Sequence, residues 1–143
     1  MNSMPQDFSR KMSIVLRENL ASWQLTNTVS HISAFLGNKL DQPFDTGKFF
    51  ASEDGVNFPR NSQYGIVSLQ ASKEEIMNLT TKLSDSGLLW IAYTQDMIDL
   101  IDDEELIRTI GQKNSNDLDI LGIGIFGTKE ELKELTGKFK LWK

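Results

Sequence analysis

The fold of this chain turns on residues 121–142, "LGIGIFGTKEELKELTGKFKLW". Within it "GIGIFG", 122–127, is a literal G-x-G-x-x-G, the pattern of a dinucleotide-binding turn. Such a turn belongs beside the first strand of its domain, with a second strand and an acidic ribose partner about 20 residues on. Only sixteen residues follow Gly127, so no unit of that kind fits. The stretch 118–126 reads instead as a strand, with Gly122 and Gly124 on one face because side chains alternate. Glycines there keep that face clear or let a helix come close. Gly127 turns the chain into Thr128, which forms a capping box with Glu131. That box starts a helix running to Leu135 and stopped at Gly137.

Three further strands precede it. "KMSIVL" (11–16) and "YGIVSL" (64–69) are short, apolar and β-branched, and "LLWIAY" (88–93) is apolar throughout, as a central strand is. Residues 22–40 read as a helix, with Leu25, Val29, Ile32 and Leu36 forming one core-facing stripe. A second helix starts at the capping box of Ser72 and Glu75, continues through Ile76, Leu79 and Leu83, and stops at Gly87. Residues 97–110 read as one or two short acidic helices. Residues 41–61 form a loop or hairpin insertion containing Pro43, Gly47, Gly55 and Pro59, with "SEDGVNF" able to turn at Asp54-Gly55. Strands alternating with helices imply an α/β layered domain. Residues 1–9 read as a flexible N-terminus and 10–143 as a single domain.

The 143 residues suffice to bury a core, and none is Cys. Disulfides, thiol catalysis and Cys zinc sites are therefore excluded. No apolar run approaches the roughly 20 residues that span a bilayer, and Met1 to Ser9 lacks a signal-peptide core. A cytoplasmic chain with no membrane partner fits this pattern. Net charge is −5, and the imbalance is local: residues 94–119 hold eight acids and two bases, Arg108 and Lys113. Nucleic-acid affinity draws on Lys and Arg against phosphate, so tRNA is a disfavoured partner. Lys138, Lys140 and Lys143 make only a small basic patch, most simply a solubilising tail.

The first helix is the unusual element, because no charged residue lies between Glu18 and Lys39. One side carries Gln24, Asn27, Thr28 and His31; another carries the small residues Thr26, Ser30, Ser33, Ala34 and Gly37. A helix without a charged face is usually covered on more than one side, by another element or another subunit; the alternative is a solvent face that is merely neutral. Gln24, Asn27 and His31 supply donors and acceptors for a polar ligand. Arg17 ends the first strand, and Trp23 stands in the turn before the helix. Residues just beyond strand C-termini line the usual crevice of open α/β sheets, which adds Tyr93, Thr94, Gln95 and Asp96. If the first and third strands are parallel neighbours, Arg17 and Asp96 meet across that crevice. Each of these residues also has a plain structural reading, as an ion pair, a core plug or a packing residue.

Finished catalytic constellations are absent. His31 is the single histidine and no G-x-S-x-G elbow exists, so no Ser-His-Asp triad is read. "DDEE" at 102–105 lacks the spaced oxygen ligands of a calcium loop and suits a helix N-terminus. No cofactor and no metal are expected.

Three stretches together resemble the type II peptidyl-tRNA hydrolases: "MSIVLRENL" leading into the first helix, "WIAYTQD", and the closing 121–142 segment. Its Thr136, Gly137, Lys140, Leu141 and Trp142 match that family's Thr-Gly-x-x-Lys-Leu-aromatic ending. "IVLRENLASWQLTNT", with Leu20, Trp23, Gln24 and Asn27 in register, and "AYTQD" resemble more closely an uncharacterised bacterial family, the two-thousandth "domain of unknown function". The resemblance implies a three-layer α/β/α, peptidyl-tRNA hydrolase II-like fold with a mixed four-stranded sheet, assembled as a homodimer. It also matches Asp96 to the hydrolase aspartate, the one catalytic candidate. The hydrolases' lysine-rich turn is "ASWQLT" here, however, and Met97, Ile98 and Asp99 replace the Gly, Arg and Thr after the aspartate. The resulting expectation is a small polar ligand or chain end bound by Arg17, Trp23, Gln24, Asn27 and His31 near Asp96. The alternative is a peptidyl-tRNA or related acyl-ester hydrolase; whether the chain is an enzyme stays open.

Overall fold

A computed structural model describes residues 6–41, 44 and 49–143. Residues 1–5 of the expected flexible N-terminus, and most of 42–48 within the expected insertion, lie outside the described residues. In chain order the elements are β1 (Asp7–Arg17), α1 (Ser22–Lys39), β2 (Phe49–Ala51), β3 (Asn57–Pro59), β4 (Tyr64–Ala71), α2 (Lys73–Ser84), β5 (Leu89–Thr94), α3 (Gln95–Asp99), α4 (Asp103–Gly111), β6 (Ile120–Thr128), α5 (Lys129–Thr136) and β7 (Lys140–Leu141).

The main sheet has five strands in the order β5-β6-β1-β4-β7, one more than the four expected from the sequence. The addition is β7, whose two residues pair antiparallel with Leu69 and Gln70. A strand that short carries no periodicity by which to find it. β1 runs parallel to β4 and antiparallel to β6, and β6 runs antiparallel to β5. β6 therefore separates β1 from β5, although their C-termini still share one end of the sheet. β2 and β3 form a separate hairpin, with Gly55 at φ +88° in its turn. That left-handed conformation is open to glycine at no steric cost.

Helices cover both faces. Met12, Ile14 and Leu16 of β1 point toward α1, where Ile32 and Leu36 are fully buried. Val15, Ile123 and Ile125 point the other way, onto Ile76, Leu79 and Leu83 of α2 and Leu132 of α5. The α1 stripe differs from its reading at three positions: Thr28 is buried with Ile32 and Leu36, while Leu25 and Val29 are half-buried. Thr28 is accommodated because its hydroxyl donates to the Gln24 carbonyl at 2.7 Å.

Gly122 and Gly124 face α1, and α1 occupies the space their side chains would fill. A Cβ on Gly124 would lie 2.3 Å from Ile32 Cγ2 and 2.8 Å from Leu36 Cδ1; one on Gly122 would lie 2.8 Å from Thr28 Cγ2. These distances are well inside van der Waals contact. The G-x-G spacing is thus a seat for the first helix, and the GIGIFG stretch is strand throughout. Both capping boxes form: the Ser72 and Thr128 hydroxyls accept from the Glu75 and Glu131 amides, and each glutamate reaches back to its cap residue's N–H.

Candidate functional site

The C-terminal ends of β1 and β5, the start of β6 and the first turns of α1 meet at one end of the sheet. β6 bulges there: Tyr93 opposes Gly122 while Thr94 opposes Ile120, leaving Leu121 unpaired. A bulge beside such a crevice re-aims the chain locally. Thr94 then ends β5 and caps α3, its hydroxyl accepting from the Met97 amide. The Gln95 N–H donates to the Asp119 carbonyl at 2.9 Å, holding the start of β6 against α3.

Two ion pairs occupy this end, and they are not the pair expected. Arg17 bonds Asp119 rather than Asp96, because β6 lies between β1 and β5 and brings its own carboxylate to the end of β1. Asp96 is held instead by Lys113, whose ammonium lies 3.1 Å from both carboxylate oxygens. Both candidate charges are thus already compensated. Lys113 follows α4, one of two bases among the acids of 94–119. Its isolation there was the available signal.

The remaining candidates gather along α1. Trp23, Asn27 and His31 stand at i, i+4 and i+8, so they form one row on a helix face. Gln24, beside the row, links two elements. Its Oε1 accepts the Ala21 N–H at 3.1 Å, which starts the helix, and its Nε2 donates to Gln95 Oε1 at 2.9 Å. Gln95 Nε2 in turn donates to Asp99 Oδ1 at 2.9 Å. Under the row lies Tyr93, whose hydroxyl donates to Asn27 Oδ1 at 3.2 Å and whose ring stacks on His31 with centroids 4.8 Å apart. Burial pushes the Tyr93 phenol above its ordinary value, so at neutral pH it remains a donor.

Several hydrogen-bonding groups in the row are unspent. The Asn27 amide nitrogen, the Trp23 indole N–H and the His31 ring nitrogens have no hydrogen-bond partner among the described residues. Trp23 is 57% exposed, a large aromatic surface left open beside them. Beyond His31 the row leads into an open groove of about 560 Å³ between α1 and β5, lined by Ala34, Phe35, Asn38 and Ile91 among others. Asp102 caps α4 by accepting from the Glu104 amide, so the "DDEE" run has a local structural role. Among the described residues no three His, Cys, Asp or Glu side chains gather as a metal site requires. No helix among them is long and apolar enough to cross a membrane.

Comparison with known proteins gives the fold's relatives without a chemistry. A protein of unknown function from Agrobacterium tumefaciens strain C58, Atu0240, superposes with a TM-score of 0.81 over 96% of this chain and 100% of that one, at 16% sequence identity. At that identity the likeness is one of fold. No curated protein matches the chain. The family model described as "Protein of unknown function (DUF2000)" matches residues 10–143, and the chain belongs to that family.

Proposed function

We propose that the row of Trp23, Asn27 and His31, with Gln24 and Gln95 beside it, binds a small polar ligand or the end of a polymer chain, in a homodimer. The observation carrying this reading is the set of unspent donors next to an open indole. Arg17 and Asp96 frame the crevice, but each is already paired. The chemistry on offer is therefore hydrogen bonding by amide, indole and imidazole groups, and stacking on Trp23. Such a site suits a planar or carbonyl-rich ligand with several acceptors. A thermal-shift screen of metabolites and nucleotides tests it. A ligand that raises Tm in the wild type, and no longer does so in Trp23→Ala and Asn27→Ala, is the expected result. No hit, or a shift unchanged in Trp23→Ala, counts against the crevice.

One observation favours a second reading, an acyl-ester hydrolase of the peptidyl-tRNA hydrolase type on a fold of that kind. Lys113 brings an ammonium to Asp96 from the far side of α4, whereas the turn before α1 carries none. In this reading Asp96 orients a water and a neighbouring cation or amide holds the ester oxygen. Peptide release from peptidyl-tRNA should then be lost in Asp96→Asn. Equal inactivity of wild type and variant on tRNA esters removes the hydrolase reading and leaves the binding reading standing.

A further inference from the structure

The two edges of the main sheet are finished differently. The β7 edge is two residues long, includes Lys140 and is flanked by Lys138 and Lys143. Short length and lysines are the usual protections of an exposed edge. The β5 edge has none of them. Its six residues, LWIAYT, include no charge and no proline, and β6 is its sole strand neighbour among the described residues. One side of its backbone thus presents N–H and C=O groups with no strand to receive them. Leu89, Trp90, Ile91 and Ala92 are partly exposed.

The flank of α1 above this edge is equally unprotected. Its exposed positions include Trp23, Thr26, Ser30, His31, Ala34 and Asn38, none carrying a formal charge. Edge and helix flank enclose the 560 Å³ groove of His31, Ala34, Phe35, Asn38, Ile91 and Tyr93. We infer that this flank is the surface on which two copies of the chain associate, β5 against β5 antiparallel, with the two α1 helices side by side. The inference rests on the self-association proposed above and adds its location.

Three arguments select a second copy as the occupant. First, an edge this open needs a cover whenever the protein is present, and a second copy is always available where the chain is made. A ligand peptide would leave the edge bare in its absence. Second, each copy carries net charge −5, yet the β5 residues and the exposed α1 positions bring no like charges together; the acids of α3, whose Met97 also lines the groove, border it at one end only. Third, the flank has the dimensions of a small interface: α1, about 27 Å long, and β5, about 20 Å, run along it one above the other, a helix diameter of ~10 Å plus a strand spacing of ~5 Å deep, so the pair lies at the small end of the range for specific complexes and dissociates on dilution. A two-fold axis normal to the sheet keeps both α1 helices on one face and sets them antiparallel. Their dipoles then oppose favourably. Ala34, small and exposed, allows the approach, and the Trp23 crevice comes to lie at the seam between copies.

Light scattering on a sizing column across a dilution series tests this, with Ala34→Glu, Asn38→Glu and, as a control on the opposite helical layer, Thr81→Glu. At the concentrated end of the series, wild type and Thr81→Glu should have twice the 16.2 kDa chain mass. The two groove variants should run at the single-chain mass with unchanged circular dichroism, since both substitutions are on exposed helix positions. Hydrogen exchange of the β5 amides should quicken in them and in no other strand. A wild type that stays monomeric overturns both self-association and this surface. A dimer that survives both groove substitutions overturns the surface alone, as does a monomeric groove variant whose β5 exchange matches the wild type.

Discussion

The two faces of the sheet are covered by helices of opposite character. α2 and α5 begin with complete capping boxes, carry acids in their first turns and expose charged outer faces. α1 begins at Ala21, which has no side-chain acceptor, and reaches its cap through Gln24 alone. It has no acid in its first turn and no charge before Lys39. What holds α1 is contact: Thr28, Ile32 and Leu36 sit where side chains on Gly122 and Gly124 would be. α2 and α5 are thus stabilised as surface helices usually are, by local signals and one apolar stripe. α1 depends on what lies below it and on what meets its flank.

The comparison breaks most visibly at Gly124. A valine there must displace Ile32 and Leu36, and overpacking of this kind should cost about 3 kcal/mol, read from urea unfolding. Gly65 on β4 has nothing within 4 Å of an added Cβ, so Gly65→Ala should be near neutral. Similar costs for the two sites would mean that α1 is not seated on β6. The double change Gly124→Ala with Ile32→Ala should be less destabilising than the sum of the two single changes, because the second opens space for the first.

The caps sharpen the contrast at smaller scale. Ser72→Ala and Thr128→Ala should each cost about 1 kcal/mol, while Ala21→Ser should stabilise by up to ~1 kcal/mol by supplying the acceptor that α1 lacks. A null effect at Ala21 would show that water already satisfies the first-turn amides, because the Gln24 bond serves only the Ala21 N–H.

Tyr93→Phe should cost about 1 kcal/mol or less near neutral pH, through loss of the bond to Asn27. Its pH dependence is more telling. Burial raises the Tyr93 pKa above its ordinary value of 10.0, so the folded chain keeps a proton that the unfolded chain releases. Stability is then full below pH 10.0 and declines as pH rises through the folded value. Thermal melts of Tyr93→Phe should show a shallower alkaline decline than the wild type; parallel curves would exclude the effect. Smallest is Lys113→Met. The Lys113 side chain is about one-third exposed, and surface pairs contribute between zero and about 1 kcal/mol. Global stability should change little, while amide exchange in α3 and α4 should accelerate if the pair holds that segment.

Much of this architecture is legible in the chain. The capping boxes name their helix starts, and the alternation around Gly122 and Gly124 fixes which face they share. The neutrality of α1 is plain from residues 19–38. The pairings at the site were less legible, for a topological reason. Charge and strand order do not reveal each other, so nothing local tells that β6 intervenes between β1 and β5 and hands Asp119 to Arg17. Lys113 reaches Asp96 across a helix and a turn, a contact that sequence spacing does not encode. Asn27 and His31 are legible as one side of the first helix, whereas Trp23, expected in the turn before it, joins their row because α1 already includes it; the Tyr93 beneath, which stacks and donates, becomes evident once β5 is placed under α1.

The position of β1 has a consequence for how the molecule is made. It is the earliest strand in the chain, it lies at the centre of the sheet, and both its neighbours come later: β4 more than fifty residues on and β6 more than a hundred. Its apolar run "SIVL" therefore has no partner until about half of the domain has been synthesised, and lacks its second until nearly all of it has. Closing such a sheet brings together segments far apart in sequence, which makes folding slow compared with a helical bundle of equal length. During that delay the nascent chain exposes a sticky central strand. Translation rate and chaperone supply should then affect the yield of folded protein, alongside final stability.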